Sequence, residues 1–132
     1  MKKYFAYGSN MDAEQMARRC PQSIFQKKVT LLRYEFFINN RGFASIRKKK
    51  DSQVWGIIYT ITDSDEASLD RYEGYPEIYG KLDLPELKAL CYVDSTKDNG
   101  LPRDGYLEKI IQASKLHGFP KEYIAELRRW LK

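Results

Sequence analysis

The sequence predicts a mixed α+β domain, a curled sheet or small β-barrel with helices packed around its outside. Three observations point there. β-Forming residues dominate the middle of the chain, helical periodicity closes it, and no repeat or low-complexity tract interrupts its 132 residues. That length suits one domain, since most domains run to roughly 100–150 residues, so a single domain over 1–132 is expected.

Lys3–Tyr7 is short, aromatic and apolar, and Gly8-Ser9-Asn10 follows it, which reads as a strand entering a turn. Asp12 suits a helix N-cap with Gln15 three positions on, and Met11 and Met16 occupy the flanking staple positions. Pro21 closes that helix. Val29–Asn39 is rich in β formers, Asn40-Arg41-Gly42 is turn chemistry, and Phe43–Arg47 can return as the second arm of a hairpin. Val54–Thr62 is nearly all β-branched or aromatic, and its lack of alternation predicts a strand buried on both faces, with Trp55 in the core. Asp63 with Glu66 opens a second helix, which Gly74-Tyr75-Pro76 ends. Leu82–Val93 supplies one or two further strands, although Pro85 weakens the first half. From Asp104, a stripe of Leu107, Ile110, Ile111 and Ser114 predicts a helix ending near Gly118. Pro120 then starts a last helix with Tyr123, Ile124, Leu127, Trp130 and Leu131 on one side.

Charge and composition narrow the chemistry. Lys and Arg number 23 against 18 Asp and Glu, giving +5. The longest run free of charge is Ser52–Thr62, about half of the roughly 20 residues that cross a bilayer, so no membrane span is expected. The apolar stretch after Met1-Lys2-Lys3 ends by Gly8, too early for a secretory signal, and the cytoplasm is the expected compartment. Cys20 and Cys91 fit no zinc spacing, and His117 has no second ligand at a recognisable offset, so no metal is expected. His117 reads as a surface or capping group near a helix end. Classical zinc hydrolysis and Ser-His-Asp chemistry both ask too much of one histidine.

Two places carry chemistry. The Tyr7-Gly8-Ser9-Asn10 turn aims backbone N–H groups at one point, and Gly8 permits close approach of a ligand, which suits a carboxylate or a developing oxyanion. It is no phosphate loop, because neither GxxxxGKS/T nor GxGxxG is present. Glu73 shares a helix face with Leu69 and Tyr72, which should draw it inward. It also stands in the last turn, where the helix dipole opposes a negative charge. Burial and dipole would both raise its pKa, as suits a proton carrier; a solvated helix-end glutamate is the plain alternative. Arg47-Lys48-Lys49-Lys50-Asp51 looks like a nucleic-acid patch, but its place between two strands favours a solvated hairpin connection. No aromatic stacking signature accompanies it, which argues against a nucleic-acid partner. Cys20 as the nucleophile of an acyl transferase lacks a base.

Taken together, these segments resemble the γ-glutamylcyclotransferase, AIG2-like family over nearly the whole chain. Tyr4-Phe5-Ala6-Tyr7-Gly8-Ser9-Asn10-Met11 is similar to the family's N-terminal strand and loop. Phe43–Ile46 and Val54–Tyr59 resemble its central strands, and Leu69-Asp70-Arg71-Tyr72-Glu73-Gly74-Tyr75-Pro76 with Tyr79 resembles the segment bearing its catalytic glutamate. Tyr106, Ile110-Ile111 and Gly118–Tyr123 resemble its C-terminal helices. The resemblance implies a small barrel decorated by helices, Glu73 as the catalytic acid–base, and substrate contacts from Tyr7, Gly8, Ser9, Asn10 and Tyr106. It implies a small-molecule γ-glutamyl substrate cyclised to 5-oxoproline, with no cofactor. An amino acid, a polyamine, a lysine side-chain amine or an antibiotic intermediate would all serve as leaving group, because the chain has no long excursion after Glu73 to define that side of the pocket. The rival is a non-catalytic module for a small ligand or RNA on the same fold.

Overall fold

A computed structural model describes residues 1–96 and 98–131. A five-stranded sheet forms its centre, in the order β2-β3-β1-β5-β4. β1 (Lys2–Ala6) runs antiparallel to β3 (Ala44–Ile61) and parallel to β5 (Ala89–Asp94). β2 (Ile24–Ile38) pairs with β3 in a long hairpin, and β4 (Tyr79–Leu84) pairs with β5 in a short one. The edge strands β2 and β4 do not pair with each other among the described residues, so the sheet curls without a hydrogen-bonded seam.

The curl has a local cause. In the β2–β3 ladder, Leu32 pairs with Gln53 and Tyr34 with Lys48, so Lys49–Ser52 stand opposite Arg33 alone. Arg33 and Asp51 take positive φ there, and an irregularity of this kind bends and twists the ladder. The basic run is therefore no connection between strands. It lies inside β3, because pairing resumes on both sides of it, and Lys48, Lys49, Lys50 and Asp51 are exposed while Arg47 is half-buried. β2 likewise begins at Ile24, earlier than Val29. Its outer part is exposed, and polar residues such as Gln26, Lys27 and Lys28 hide it from a pattern search.

Buried side chains of β1, β3 and β5 meet those of the helices in one core. Phe5, Leu31, Ile38, Ile57, Leu69 and Leu107 are among its fully enclosed members. Gly56 is required at the centre, since a Cβ there would lie 2.5 Å from both the Ala6 carbonyl oxygen and the Phe5 ring. Trp55 is half-buried, packed against Phe119 at 5.5 Å between ring centres, and is not the core residue expected.

Helix α1 (Ala13–Arg19) starts as its residues dictate: the Asp12 carboxylate accepts the Gln15 N–H at 2.9 Å, with Met11 and Met16 buried beside it. Helix α2 (Asp63–Glu73) has its cap one residue before the expected Asp63. Thr62 caps it, and Asp65 returns a bond to the Thr62 N–H, whereas Glu66 turns to the ammonium groups of Lys2 and Lys81. Gly74 ends α2 in the left-handed region at φ 68°, a conformation that glycine adopts freely. Pro85 sits in the turn between β4 and β5, so Leu82–Val93 is two strands, the first starting at Tyr79. Helices α3 (Tyr106–Leu116) and α4 (Lys121–Arg128) follow, with Leu107, Ile110, Ile111, Ser114, Tyr123, Ile124 and Leu127 buried as expected, whereas Trp130 and Leu131 lie beyond α4 and are half-buried.

Candidate active site

The turn after β1 is built to expose backbone donors. Tyr7 remains buried, its hydroxyl donating to the Tyr92 carbonyl at 2.6 Å, and Gly8 then leads into one 3-10 turn at Ser9–Met11. The Met11 and Asp12 N–H groups bond back to the Gly8 and Ser9 carbonyls. A helix start leaves its first N–H groups without intrahelical partners, here those of Ser9 and Asn10. The Asn10 side chain is buried and committed: its amide donates to the Tyr4 hydroxyl, and its oxygen accepts from Gln15 at 3.0 Å and Arg19 at 3.1 Å. Gln15 also donates to the Ser9 hydroxyl at 2.7 Å. Asn10 and Tyr7 thus hold the turn in shape through their side chains.

Opposite this turn stands Glu73. It is half-buried, and among the described residues its carboxylate takes no hydrogen bond or ion pair. Burial pushes its pKa to about 7, against the opposing pull of the nearby Arg19 guanidinium. The inward face is shared with Leu69, as expected, but not with Tyr72. That ring is 57 % exposed and lies beneath the Arg19 guanidinium, 4.3 Å from its centre. Position i+4 from a buried leucine is enough to turn Glu73 inward.

Distant segments complete the wall. The Ala44 N–H donates to the Tyr106 hydroxyl at 3.0 Å, and the Ala44 carbonyl accepts from Tyr79 at 2.8 Å. Ala44 is held there by an Asn39-centred turn, in which one side-chain oxygen accepts the N–H groups of Arg41 and Phe43. The Tyr106 hydroxyl accepts from Ala44 and finds no acceptor for its own proton among the described residues. Burial pushes its pKa up to about 12, so it stays a donor at neutral pH. A Cβ on Gly8 would lie 3.6 Å from this hydroxyl and 3.5 Å from the Ala44 methyl, so Gly8 faces the Tyr106 wall directly.

These groups enclose a cavity of about 680 Å³. All six residues expected at the site, Tyr7, Gly8, Ser9, Asn10, Glu73 and Tyr106, line it. Its lining also carries the cations Arg19, Arg41, Arg103 and Lys109 against the acids Glu73 and Asp104, a balance that attracts an anionic ligand. Arg19 escaped the reading of the sequence, although it stands four residues after Gln15 on one helix face and both side chains reach Asn10. Arg41 and Arg103 come from loops whose approach depends on distant pairings.

Other nucleophiles and ligands lie elsewhere. Cys20 and Cys91 are buried, and burial pushes both thiols up to about 12, so neither supplies a thiolate at neutral pH. His117 caps the end of α3, with Nε2 3.0 Å from the Met11 carbonyl and its ring stacked on Phe25. Among the described residues no group of three His, Cys, Asp or Glu could hold a metal ion, and no helix is long and apolar enough to cross a membrane.

Residues 4–108 match the family described as gamma-glutamyl cyclotransferase, AIG2-like. The mouse γ-glutamylcyclotransferase is 26% identical over 95% of this chain and 76% of its own length, and the human one 28% identical over the same shares. A solved γ-glutamyl cyclotransferase superposes with a TM-score of 0.81 at 26% identity, covering 96% of this chain and 86% of that one. YkqA from Bacillus subtilis shares the fold, with a TM-score of 0.79 at 19% identity over 97% of this chain and 53% of its own. The match takes in the Gly8 turn, the helix that ends on Glu73 and the tyrosine wall at Tyr106, and this chain belongs to the γ-glutamylcyclotransferase, AIG2-like family.

Proposed function

We propose that the protein cyclises the γ-glutamyl group of a γ-glutamyl amine or amino acid to 5-oxoproline and releases the free amine. One observation carries this reading: a carboxyl with a pKa of about 7, without a hydrogen-bond or ion-pair partner among the described residues, shares a cavity with a turn whose first N–H groups lack intrahelical partners. The substrate supplies its own nucleophile, the α-amino nitrogen, which attacks the γ-carbonyl carbon and closes a five-membered lactam. Holding the chain folded recruits the large effective molarity of an intramolecular attack. An α-amine is largely protonated at neutral pH, so a base is needed, and a carboxyl half-ionised near pH 7 is matched to that task. Glu73 takes a first proton from the α-ammonium and passes it to solvent, which frees the nucleophile; it then takes a second from the attacking nitrogen and gives it to the leaving nitrogen as the γ-amide C–N bond breaks. Protons and bonds balance without a cofactor.

The Ser9 and Asn10 N–H groups and the Tyr106 hydroxyl serve the negative charge of the substrate, as carboxylate or as tetrahedral oxyanion. Tyr7 sets the start of the turn, Asn10 holds its shape, and Gly8 keeps the approach clear. We place this chemistry in the cytoplasm, on a single domain over 1–132.

The test is incubation with a panel of γ-glutamyl compounds, following 5-oxoproline by mass spectrometry, alongside the Glu73→Gln variant. Release by the wild type and its loss in the variant is the expected result. Binding of γ-glutamyl compounds with no release from any would instead establish a non-catalytic module.

A further inference from the structure

Tyr72 and Ile78 stand on either side of Glu73 and Gly74, line the same cavity, and are 57 % and 48 % exposed. Tyr75, 38 % exposed, lies between them in sequence. Isolated apolar side chains on a surface need no explanation, but two exposed ones that line the same cavity beside the Glu73 carboxyl offer a ligand apolar surface to cover. Neither lining residue is loose. The Arg19 guanidinium covers one face of the Tyr72 ring. The Ile78 N–H donates to the Gly74 carbonyl at 2.7 Å, and its side chain lies so close over Gly74 that a Cβ there would approach it to 2.9 Å.

We propose that Tyr72 and Ile78 form a fixed apolar shelf that selects γ-glutamyl compounds whose leaving amine carries an apolar side chain. The inference rests on the cyclisation reading above. The departing nitrogen must come within hydrogen-bond reach of the Glu73 carboxyl to receive its proton, so the substituent on that nitrogen emerges beside the residues flanking Glu73. An aliphatic or aromatic side chain there covers Tyr72 and Ile78 and removes apolar surface from water. A polyamine or other cationic leaving group meets the opposite situation. Each ring there already holds a cation over one face, Arg19 over Tyr72 and the Lys81 ammonium 4.4 Å from the Tyr75 ring centre, so an incoming ammonium meets like charge beside it. The cationic side chains of the lining repel it further.

The experiment compares kcat/KM for γ-glutamylphenylalanine, γ-glutamylglycine and γ-glutamylputrescine on the wild type, Tyr72→Ala and Ile78→Ala. The ratio between two substrates on one protein cancels any general effect of a variant on Glu73. The wild type is expected to favour the phenylalanine compound over the glycine compound by about ten-fold or more, the scale on which apolar contacts discriminate. The putrescine compound is expected to be slowest. Each variant should reduce the phenylalanine-to-glycine ratio at least three-fold. Equal rates for phenylalanine and glycine, fastest turnover of putrescine, or a ratio untouched by both variants would each overturn the shelf while leaving cyclisation intact. No 5-oxoproline from any compound would overturn the cyclisation reading itself, and the shelf with it.

Discussion

Glu73 combines two properties that rarely coincide on a surface helix, burial and the lack of a hydrogen-bond or ion-pair partner among the described residues. Burial raises its pKa to about 7, and Arg19 keeps it from rising further. Glu73→Gln keeps shape and hydrogen-bonding capacity but carries no exchangeable acid. Turnover should fall by the roughly 10²–10⁴-fold typical of losing a general acid–base group, with KM changing little, as single-turnover kinetics would measure. The wild-type rate should decline as pH falls through about 7, because the protonated carboxyl no longer accepts a proton; a profile flat from pH 8 to pH 5 would contradict this. The same shift has a stability consequence of opposite sense. Between its ordinary 4.5 and about 7 the native state binds more protons than the unfolded chain, so native stability drops as pH rises across that window. Above pH 7 the variant is therefore expected to be more stable than the wild type, by on the order of 2 kcal/mol, and the gain should vanish below pH 4.5. Urea unfolding of both proteins at pH 8 and pH 4.5 measures the difference.

At the scale of elements, the site consists of a turn, a helix end and a wall, and these differ in how far their residues lie apart in the chain. The first two are local. Gly8-Ser9-Asn10 followed by Asp12 and Gln15 encodes a turn and a capped helix within eight residues, and Leu69, Glu73 and Gly74 encode an inward carboxyl at a helix end, so both could be read from the sequence. The wall is not local: Tyr106 and Tyr79 meet Ala44 across 62 and 35 residues of chain. No pattern in the sequence specifies those meetings, nor the bulge at Arg33 that curls the sheet to allow them. Thr62 and Asp63 are both good cap residues, and the reciprocal bonds between Thr62 and Asp65, the Asp65 N–H to the Thr62 hydroxyl and the Thr62 N–H to the Asp65 carboxylate, distinguish them. The facing of Gly8 and Tyr106 gives a test of the turn. A Cβ at Gly8 finds ordinary contact distances, so Gly8→Val should fold, while its branched methyls extend into the space between turn and wall. Turnover should be abolished with little change in melting temperature. Normal kinetics in this variant would reduce the segment to a plain turn.

Across the whole molecule, the net charge of +5 has two separate locations, and they make different predictions. Arg19, Arg41, Arg103 and Lys109 face the cavity, where enclosure strengthens their attraction for an anionic substrate. Lys48, Lys49 and Lys50 stand exposed on the irregular stretch of β3 and line no part of that cavity. A run of exposed lysines on a protruding strand is what a nucleic-acid contact would need, yet its bases would find no aromatic platform in Lys48-Lys49-Lys50-Asp51 to stack upon. Such charges are screened beyond a Debye length of about 8 Å at physiological salt, so they should contribute little to capturing a small substrate. Changing all three to Ser lowers the formal charge from +5 to +2 without touching the core or the site. We expect kcat/KM on a γ-glutamyl compound to stay within about two-fold of the wild type at physiological salt, because attraction at the mouth comes from the lining cations and not from the net charge. The same pair of proteins, titrated with single-stranded RNA across a range of salt, examines the competing interpretation. An affinity in the wild type that falls steeply with salt and disappears in the triple variant would make the basic stretch of β3 a binding surface in its own right, separate from the cavity at the end of β1.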